Sequence, residues 1–162
     1  MPESVAMPQL LILDFDGVCT LSAAESIEHA IDPGDDEAIV RSEASEIVRQ
    51  AQSAGIPVYV LSNEVAPHLV DTLSILTSVD RVVLCSDNGI YKPDRRAFQR
   101  CLLLSGVEAS EAVLVDDDPD NVKVARSLGV AAVHFDRSVA DPWQTARELL
   151  VLGDRGDDHD EA

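Results

Sequence analysis

Lysine is nearly missing from this chain. Of its 162 residues, 12 are Lys or Arg and 30 are Asp or Glu, and only Lys92 and Lys123 are lysines. The formal net charge of −18 at pH 7 means that nucleic acids and anionic membrane surfaces would repel the protein. We therefore expect no nucleic acid and no membrane as a partner, and the rarity of lysine makes each one a candidate functional group.

Cysteines and long apolar segments are also scarce. Cys19, Cys85 and Cys101 are widely spaced and form no CxxC motif, so we expect neither a disulfide framework nor a zinc site. The longest apolar runs fall well short of the roughly 20 residues that a membrane span requires. The first ten residues lack the basic start and apolar core of a signal peptide. These features predict a cytoplasmic protein.

Five short apolar runs punctuate the chain, and each is followed by a polar or helical segment. They are aliphatic and do not alternate with polar residues, which is typical of parallel strands covered on both faces. The runs are "LLILD" (10–14), "VYVLS" (58–62), "RVVLC" (81–85), "AVLVD" (112–116) and "AAVHF" (131–135).

Segments with helical periodicity lie between these runs, notably 37–55 and 119–129. Gly55 and Gly129 close them, where a left-handed residue ends a helix. The segment 141–151 predicts a closing helix, N-capped by Asp141. Alternating strands and helices predict an α/β fold with a parallel sheet.

The length fits one domain, which we predict to cover residues 1–152. Residues 21–38 interrupt the alternation and form a small insert after the first strand. Residues 153–162, "GDRGDDHDEA", are acidic and polar, and we predict a disordered tail.

Polar side chains follow the ends of the apolar runs. Asp14 and Asp16 follow the first, Ser62 and Asn63 close the second, Lys92 follows the third, and Asp116 and Asp117 close the fourth. The carboxyl ends of parallel strands share one edge of a sheet, where ligands bind. Carboxylates gathered there would repel one another without a cation, and an all-oxygen site suits Mg²⁺.

A metal beside a carboxylate, a hydroxyl and a lysine suits phosphoryl transfer. A carboxylate attacks phosphorus while the cations offset charge on the equatorial oxygens. Asp16 would protonate the leaving alkoxide and then activate water. Gly17 lets backbone amides turn toward the phosphoryl group.

The segments "LILDFDGVCT", "VYVLSN", "GIYKPDRRAF" and "AVLVDDDPDNVKVARSLGV" resemble the four ordered motifs of the haloacid dehalogenase (HAD) superfamily. Most members are Mg²⁺-dependent phosphatases. The resemblance implies a three-layer α/β/α sandwich around a five-stranded, parallel, Rossmann-like sheet in the order 5-4-1-2-3. It covers roughly residues 9–136.

The resemblance also implies roles for individual residues. Asp14 would be the nucleophile and Asp16 the general acid/base. Lys92 would restrain Asp14 and, together with Ser62, contact phosphate.

The metal would be held by the carboxylates of Asp14 and Asp117 and by the carbonyl of Asp16, with Asp116 assisting directly or through water. Asn63 would contact the phosphoryl group through its amide.

Two positions bear on the type of reaction. Members that cleave carbon–halogen bonds are not expected to carry an aspartate like Asp16, so dehalogenation is disfavoured. Many relatives have a second Asp four residues after the metal aspartate, where this chain has Asn121. That departure puts the affinity for the metal in question, not the fold.

The spacing between motifs leaves no room for a large cap domain. Only residues 21–38 could overhang the site, and their acidic side chains would disfavour polyanionic substrates if they line its mouth, although a merely solvated loop is the simpler interpretation. An open site would admit a phosphorylated small molecule or a phosphoprotein, or be closed by a second copy in a homo-oligomer.

Two rival functions stay open. A catalytically silent regulatory or binding module on the same fold is the main alternative. A signalling receiver domain also combines an acidic pocket with Ser and Lys, but its phosphoacceptor lies on the third strand, where this chain has Cys85.

Overall fold

Five parallel strands form a single sheet in the computed structural model, which describes residues 7–152. The order β3-β2-β1-β4-β5 is the predicted order read from the opposite edge, so that prediction is confirmed. The strands are β1 Leu10–Leu13, β2 Val58–Ser62, β3 Arg81–Leu84, β4 Ala112–Asp116 and β5 Ala131–His134.

Helices cover both faces of the sheet and complete the predicted three layers. The seven α-helices of residues 7–152 are α1 Ala23–Glu28, α2 Ser42–Ser53, α3 Pro67–Val70, α4 Ser74–Ser78, α5 Arg95–Ser105, α6 Pro119–Ser127 and α7 Gln144–Leu152. Buried residues of α2, α3, α4 and α7 belong to the core on one face, and those of α5 and α6 to the core on the other.

Strand β1 is the centre of this arrangement. Its four residues are all buried, with Leu10 and Ile12 in one core and Leu11 and Leu13 in the other. Successive side chains of a strand point to opposite faces, so a strand between two helical layers must be apolar throughout. Strands β2 and β4 pair with its two edges, and the residue after its last position is Asp14.

The two ends of the insert lie side by side where they join the core, and we call residues 19–20 and 40–41 the neck. Thr20 and Val40 form an isolated antiparallel bridge, and the N–H of Arg41 donates a hydrogen bond of 2.9 Å to the carbonyl of Cys19. Beyond the neck lie α1 and a 3₁₀ turn, Asp36–Ile39. No large cap domain is present in residues 7–152.

The neck corrects one expected helix boundary. Periodicity predicts a helix over 37–55, but α2 begins only at Ser42. Val40 is extended and paired with Thr20, so the apolar residues before Ser42 serve the neck rather than a helix. Similarly, α7 begins at Gln144, after a turn in which the Asp141 carboxylate accepts a hydrogen bond of 3.2 Å from the N–H of Trp143.

The predicted acidic tail, 153–162, lies outside the described residues. Within residues 7–152, every helix is too short or too polar to cross a membrane.

Candidate active site

Three aspartates converge at the carboxyl edge of β1 and β4. Asp14 follows β1, Asp116 ends β4 and Asp117 follows it. One carboxylate oxygen from each lies within 4.8 Å of the other two. Asp14 is 8% exposed and Asp116 fully buried, whereas Asp117 is half-buried. Two adjacent strands therefore supply the convergent oxygen ligands that strand order predicts.

Lys92 ties two of these aspartates together. Its Nζ donates to Asp14 Oδ1 at 2.8 Å, to Asp116 Oδ2 at 2.9 Å and to the carbonyl of Leu61 at 2.9 Å. The ammonium group has three donors, so all of them are used. Its side chain is 2% exposed, and the segment after β3 thus delivers the predicted cation into the acidic cluster.

Burial and charge act against each other at this ion pair. Burial raises the pKa of Asp14 above its usual value, although the ammonium of Lys92 opposes that rise, and the neighbouring charge of Asp116 adds to it. Burial lowers the pKa of Lys92, but Asp14 and Asp116 outweigh this effect and raise it above its usual value. Lys92 is therefore cationic at neutral pH.

Asp16 lies outside the three-aspartate cluster, at the exposed rim. Two effects raise the pKa of Asp16: the larger is partial burial of its carboxyl group, and the smaller is the negative charge of Asp117. A carboxyl group whose pKa is raised holds its proton to higher pH, as a general acid must.

Asp116 accepts three hydrogen bonds. Its Oδ1 accepts from the N–H of Asp118 at 2.9 Å, and its Oδ2 accepts from Lys92 and from Asn121 Nδ2, the latter at 3.1 Å. Asn121 is 6% exposed. The asparagine at this position is therefore a hydrogen-bond donor to a buried carboxylate, a contact that an ionised aspartate could not make.

The two predicted phosphate contacts at the end of β2 have partners within the protein. Ser62 Oγ is buried and donates to the carbonyl of Glu64 at 2.9 Å. Asn63 Oδ1 accepts from the N–H of Lys92 at 2.8 Å, and its Nδ2 donates to the Lys92 carbonyl at 3.4 Å. Asn63 thus fixes the backbone of Lys92, a role that the sequence did not indicate.

Gly17 provides the close approach between the loop of residues 14–17 and Asp117, which follows β4. Its φ is +85°, and a Cβ there would lie 2.4 Å from Asp117 Oδ2 and 2.8 Å from Arg137 Nη1. Its N–H donates to Thr20 Oγ1 at 3.3 Å. Only glycine fits this position, both in conformation and in space.

Sequence reasoning missed two arginines beside the site. Arg137, shortly after β5, has its Nη1 3.1 Å from Asp117 Oδ2. Arg41, in the neck, donates to both carboxylate oxygens of Glu25, at 2.9 and 2.7 Å, and to the carbonyl of Gly17 at 3.0 Å. The signal for Arg137 was available, because it too follows the end of a parallel strand.

Comparison with known proteins decides the family. A family model described as haloacid dehalogenase-like hydrolase matches residues 28–129. The chain belongs to the haloacid dehalogenase-like hydrolase family. The matched span includes Ser62, Lys92 and Asp117 but begins after Asp14 and Asp16, so the assignment of those two residues depends on the geometry described above.

Two curated proteins are similar to parts of this chain. Acyl-CoA dehydrogenase family member 10 of Mus musculus is 37% identical over 112 residues, which are 67% of this chain and 10% of that protein. A phosphoserine phosphatase of Thermus thermophilus is 32% identical over 116 residues, 69% of this chain and 47% of that protein. The chain thus spans less than half the length of either relative.

One solved structure superposes on most of this chain. A HAD family enzyme of Bacteroides thetaiotaomicron, in complex with magnesium and inorganic phosphate, superposes with a TM-score of 0.63 at 17% identity. The match covers 82% of this chain and 96% of that one. The two chains therefore share one fold over most of their lengths.

Proposed function

We propose that this HAD-family hydrolase is a Mg²⁺-dependent phosphomonoester hydrolase that acts through a covalent aspartyl-phosphate on Asp14. The observation that carries the proposal is the contact of Lys92 Nζ with both Asp14 and Asp116. Burying three charged groups together costs free energy, and such costly arrangements are expected at functional sites. Binding of a phosphoryl group and a divalent cation would account for this one.

The donor set fits Mg²⁺. The three aspartates carry more negative charge than Lys92 neutralises, and their oxygens converge within 4.8 Å. Hard divalent cations prefer such carboxylate oxygens. Asp14, Asp117 and the carbonyl of Asp16 would hold the ion, which when bound would neutralise charge on the phosphoryl oxygens.

Asp116 has a supporting role in this proposal. Three hydrogen-bond donors already use its two oxygens. It would assist the metal at most through water, and its main contribution would be to hold Lys92 against Asp14.

The protein groups would carry the reaction as follows. The ionised oxygen of Asp14 attacks phosphorus, the P–O bond to the leaving group breaks, and Asp16 gives its proton to the departing alkoxide. Asp16, now ionised, takes a proton from water, whose oxygen attacks the same phosphorus. The acyl-phosphate bond breaks and Asp14 is regenerated. Ser62 and Lys92 would each exchange one of their present hydrogen bonds, to the carbonyls of Glu64 and Leu61, for one to a phosphoryl oxygen.

The relatives and the fold support this assignment at the level of substrate class. One relative is a phosphoserine phosphatase, and one structural neighbour contains magnesium and inorganic phosphate. We propose a phosphorylated small molecule or a phosphoprotein as substrate, because no large cap closes the site within residues 7–152. We also propose a homo-oligomer in which a second copy of the chain covers the open site. We also retain the proposed cytoplasmic location.

Hydrolysis of an aryl phosphate, measured with and without Mg²⁺, tests the proposal. We expect Mg²⁺-dependent turnover in the wild type and loss of at least about 1,000-fold in Asp14→Asn, because a nucleophile is removed. Asp120→Asn, an exposed acid at the start of α6, is the matched control and should retain turnover. Equal rates in wild type and Asp14→Asn would refute the proposal, and absence of Mg²⁺ binding in calorimetry would favour a catalytically silent module.

A further inference from the structure

Arg137 links the insert to the acidic cluster. Its Nη1 lies 3.1 Å from Asp117 Oδ2, and its Nε lies 3.5 Å from Glu25 Oε1 on α1. Two carboxylates thus hold the guanidinium from different sides. The residue comes from the loop after β5, an element that contributes no other residue to the proposed chemistry.

The guanidinium also lies directly against the nucleophile loop. A Cβ on Gly17 would approach Arg137 Nη1 to 2.8 Å, so Arg137 packs on the backbone three residues from Asp14. This cation therefore lies beside the loop of residues 14–17, on which the proposed phosphoryl group would be placed.

Arg137 has hydrogen-bonding capacity left over. A guanidinium carries five N–H donors, and among residues 7–152 only its Nη1 forms a hydrogen bond, while Nε makes the longer contact with Glu25. Its side chain is 41% exposed. It lines a polar recess of about 340 Å³ with Asp117, His134, Phe135, Asp136 and Ser138.

Arg41 differs from Arg137 in this respect. Its side chain is 11% exposed and donates to Glu25 twice and to the carbonyl of Gly17. Arg41 therefore fixes Glu25, and Glu25 in turn positions Arg137. Of the two arginines, Arg137 is the one whose donors are accessible to a ligand.

We propose that Arg137 is a specificity-determining residue that binds a second anionic group of the substrate, a carboxylate close to the phosphoryl ester. This inference rests on the proposed function and deepens it, since it assigns small phosphorylated carboxylic acids as the substrate class. A planar guanidinium matches a carboxylate in bidentate geometry.

Two ligands that differ in one group test the proposal. Phosphoglycolate and ethyl phosphate differ only by a carboxylate in place of a methyl group, and their binding to Asp14→Asn protein with Mg²⁺ can be measured by calorimetry. We expect phosphoglycolate to bind about 10-fold more tightly, the size of one charge-assisted contact. Adding Arg137→Gln should bring the ratio of the two affinities close to one.

Arg147→Gln is the matched control. Arg147 also pairs with an aspartate, Asp141, and its side chain is 40% exposed, but its described contacts include no residue of the site. It should leave the affinity ratio unchanged. If Asp14→Asn weakens the fold, the ratio of kcat/KM for the two compounds in wild type and Arg137→Gln gives the same comparison.

The result separates the two proposals because binding needs no turnover. Absence of phosphatase activity in the wild type would contradict the proposed function. An affinity ratio near one in the Asp14→Asn protein, no binding of either ligand, or a ratio that Arg137→Gln leaves unchanged would each overturn the assignment of Arg137.

Discussion

Lys92 Nζ and Asp14 Oδ1 lie 2.8 Å apart in a site where the lysine side chain is 2% exposed. The same nitrogen also donates to Asp116. Removing the ammonium would leave two carboxylates buried together without a counter-charge, which is among the most destabilising changes a protein can undergo.

Lys92→Met should therefore lower the free energy of unfolding by about 3–5 kcal/mol. Lys123→Met is the natural control, because Lys123 is the other lysine and is exposed, and it should cost under about 0.5 kcal/mol. Urea denaturation at pH 7 measures both. A loss in Lys92→Met no larger than in the control would mean that the buried pair does not hold the edge of the sheet together.

Gly17→Ala tests the close contact between the loop of residues 14–17 and Asp117. The new Cβ would meet Asp117 Oδ2 at 2.4 Å, so the carboxylate must move. Since that carboxylate is a proposed Mg²⁺ ligand, we expect Mg²⁺ affinity, measured by calorimetry, to fall by about 10-fold or more.

Gly55→Ala controls for backbone strain. Gly55 has φ +77°, and a Cβ there would have nothing within 4 Å, so it shares the conformational cost, about 1 kcal/mol, without the collision. Its Mg²⁺ affinity should equal that of the wild type. Equal affinities in the two variants would show that Asp117 does not depend on the space at Gly17.

Asn121→Asp would place a carboxyl group 3.1 Å from Asp116 Oδ2, where an amide donor now lies. Two buried carboxylates repel, so the pKa of the new group would be raised and it would share a proton. Because the pKa of this group would be higher in the folded than in the unfolded protein, its contribution to the free energy of unfolding is most favourable at low pH. That contribution is lost as the pH rises toward the folded-state pKa. The variant should be close to wild type near pH 4 and about 2 kcal/mol less stable at pH 8.

Asn88→Asp offers the comparison, because Asn88 is exposed and its Oδ1 accepts a hydrogen bond from the N–H of Ile90. An aspartate would still accept that bond, and no pH-dependent loss is expected. Thermal unfolding of both variants across pH 4–8, without added metal, measures the difference. A flat profile for Asn121→Asp would remove the donor role assigned to Asn121.

Glu25 should make the protein sensitive to acid. The hydrogen bonds from Arg41 lower the pKa of Glu25 to about 2 from 4.5, with help from Ser22. Because the folded-state value is below the unfolded one, this contribution to stability is complete above about pH 4.5 and is lost as the pH falls toward 2. Glu25→Gln lacks it, so the variant should be about 1 kcal/mol less stable than wild type at pH 6, with a smaller deficit at pH 3.

Glu28→Gln serves as the reference for that experiment, since Glu28 lies on the same helix and is exposed. The free energy of unfolding of Glu28→Gln should equal that of the wild type at both pH 6 and pH 3. If Glu25→Gln and Glu28→Gln behave alike, the bidentate contact with Arg41 contributes nothing measurable.

The residues that sequence reasoning brought together share one property, which is that they follow a strand. Parallel strands end at one edge, so Asp14, Asp117 and Lys92 could be expected to meet there without any knowledge of side-chain contacts. The strand runs themselves were recognisable because both faces are covered. Sheet order, in contrast, came from the resemblance to the HAD superfamily.

What the sequence could not show depends on the paths of loops. The partner of Asn63 is the backbone of Lys92, and the partner of Glu25 is Arg41 in the neck. Both contacts join positions far apart in sequence, and neither has a local pattern. A contact between distant positions also explains why α2 begins at Ser42 and not near residue 37. Val40 pairs with Thr20, and this pairing overrides the helical periodicity of the sequence.

The innermost strand carries Asp14, and both of its edges are hydrogen-bonded to neighbours. Local unfolding at the edges of the sheet would leave the carboxylate of Asp14 in place, whereas cooperative unfolding would separate it from Lys92. Heat inactivation and collapse of the sheet should consequently coincide, so that residual turnover reports the fraction of molecules still folded.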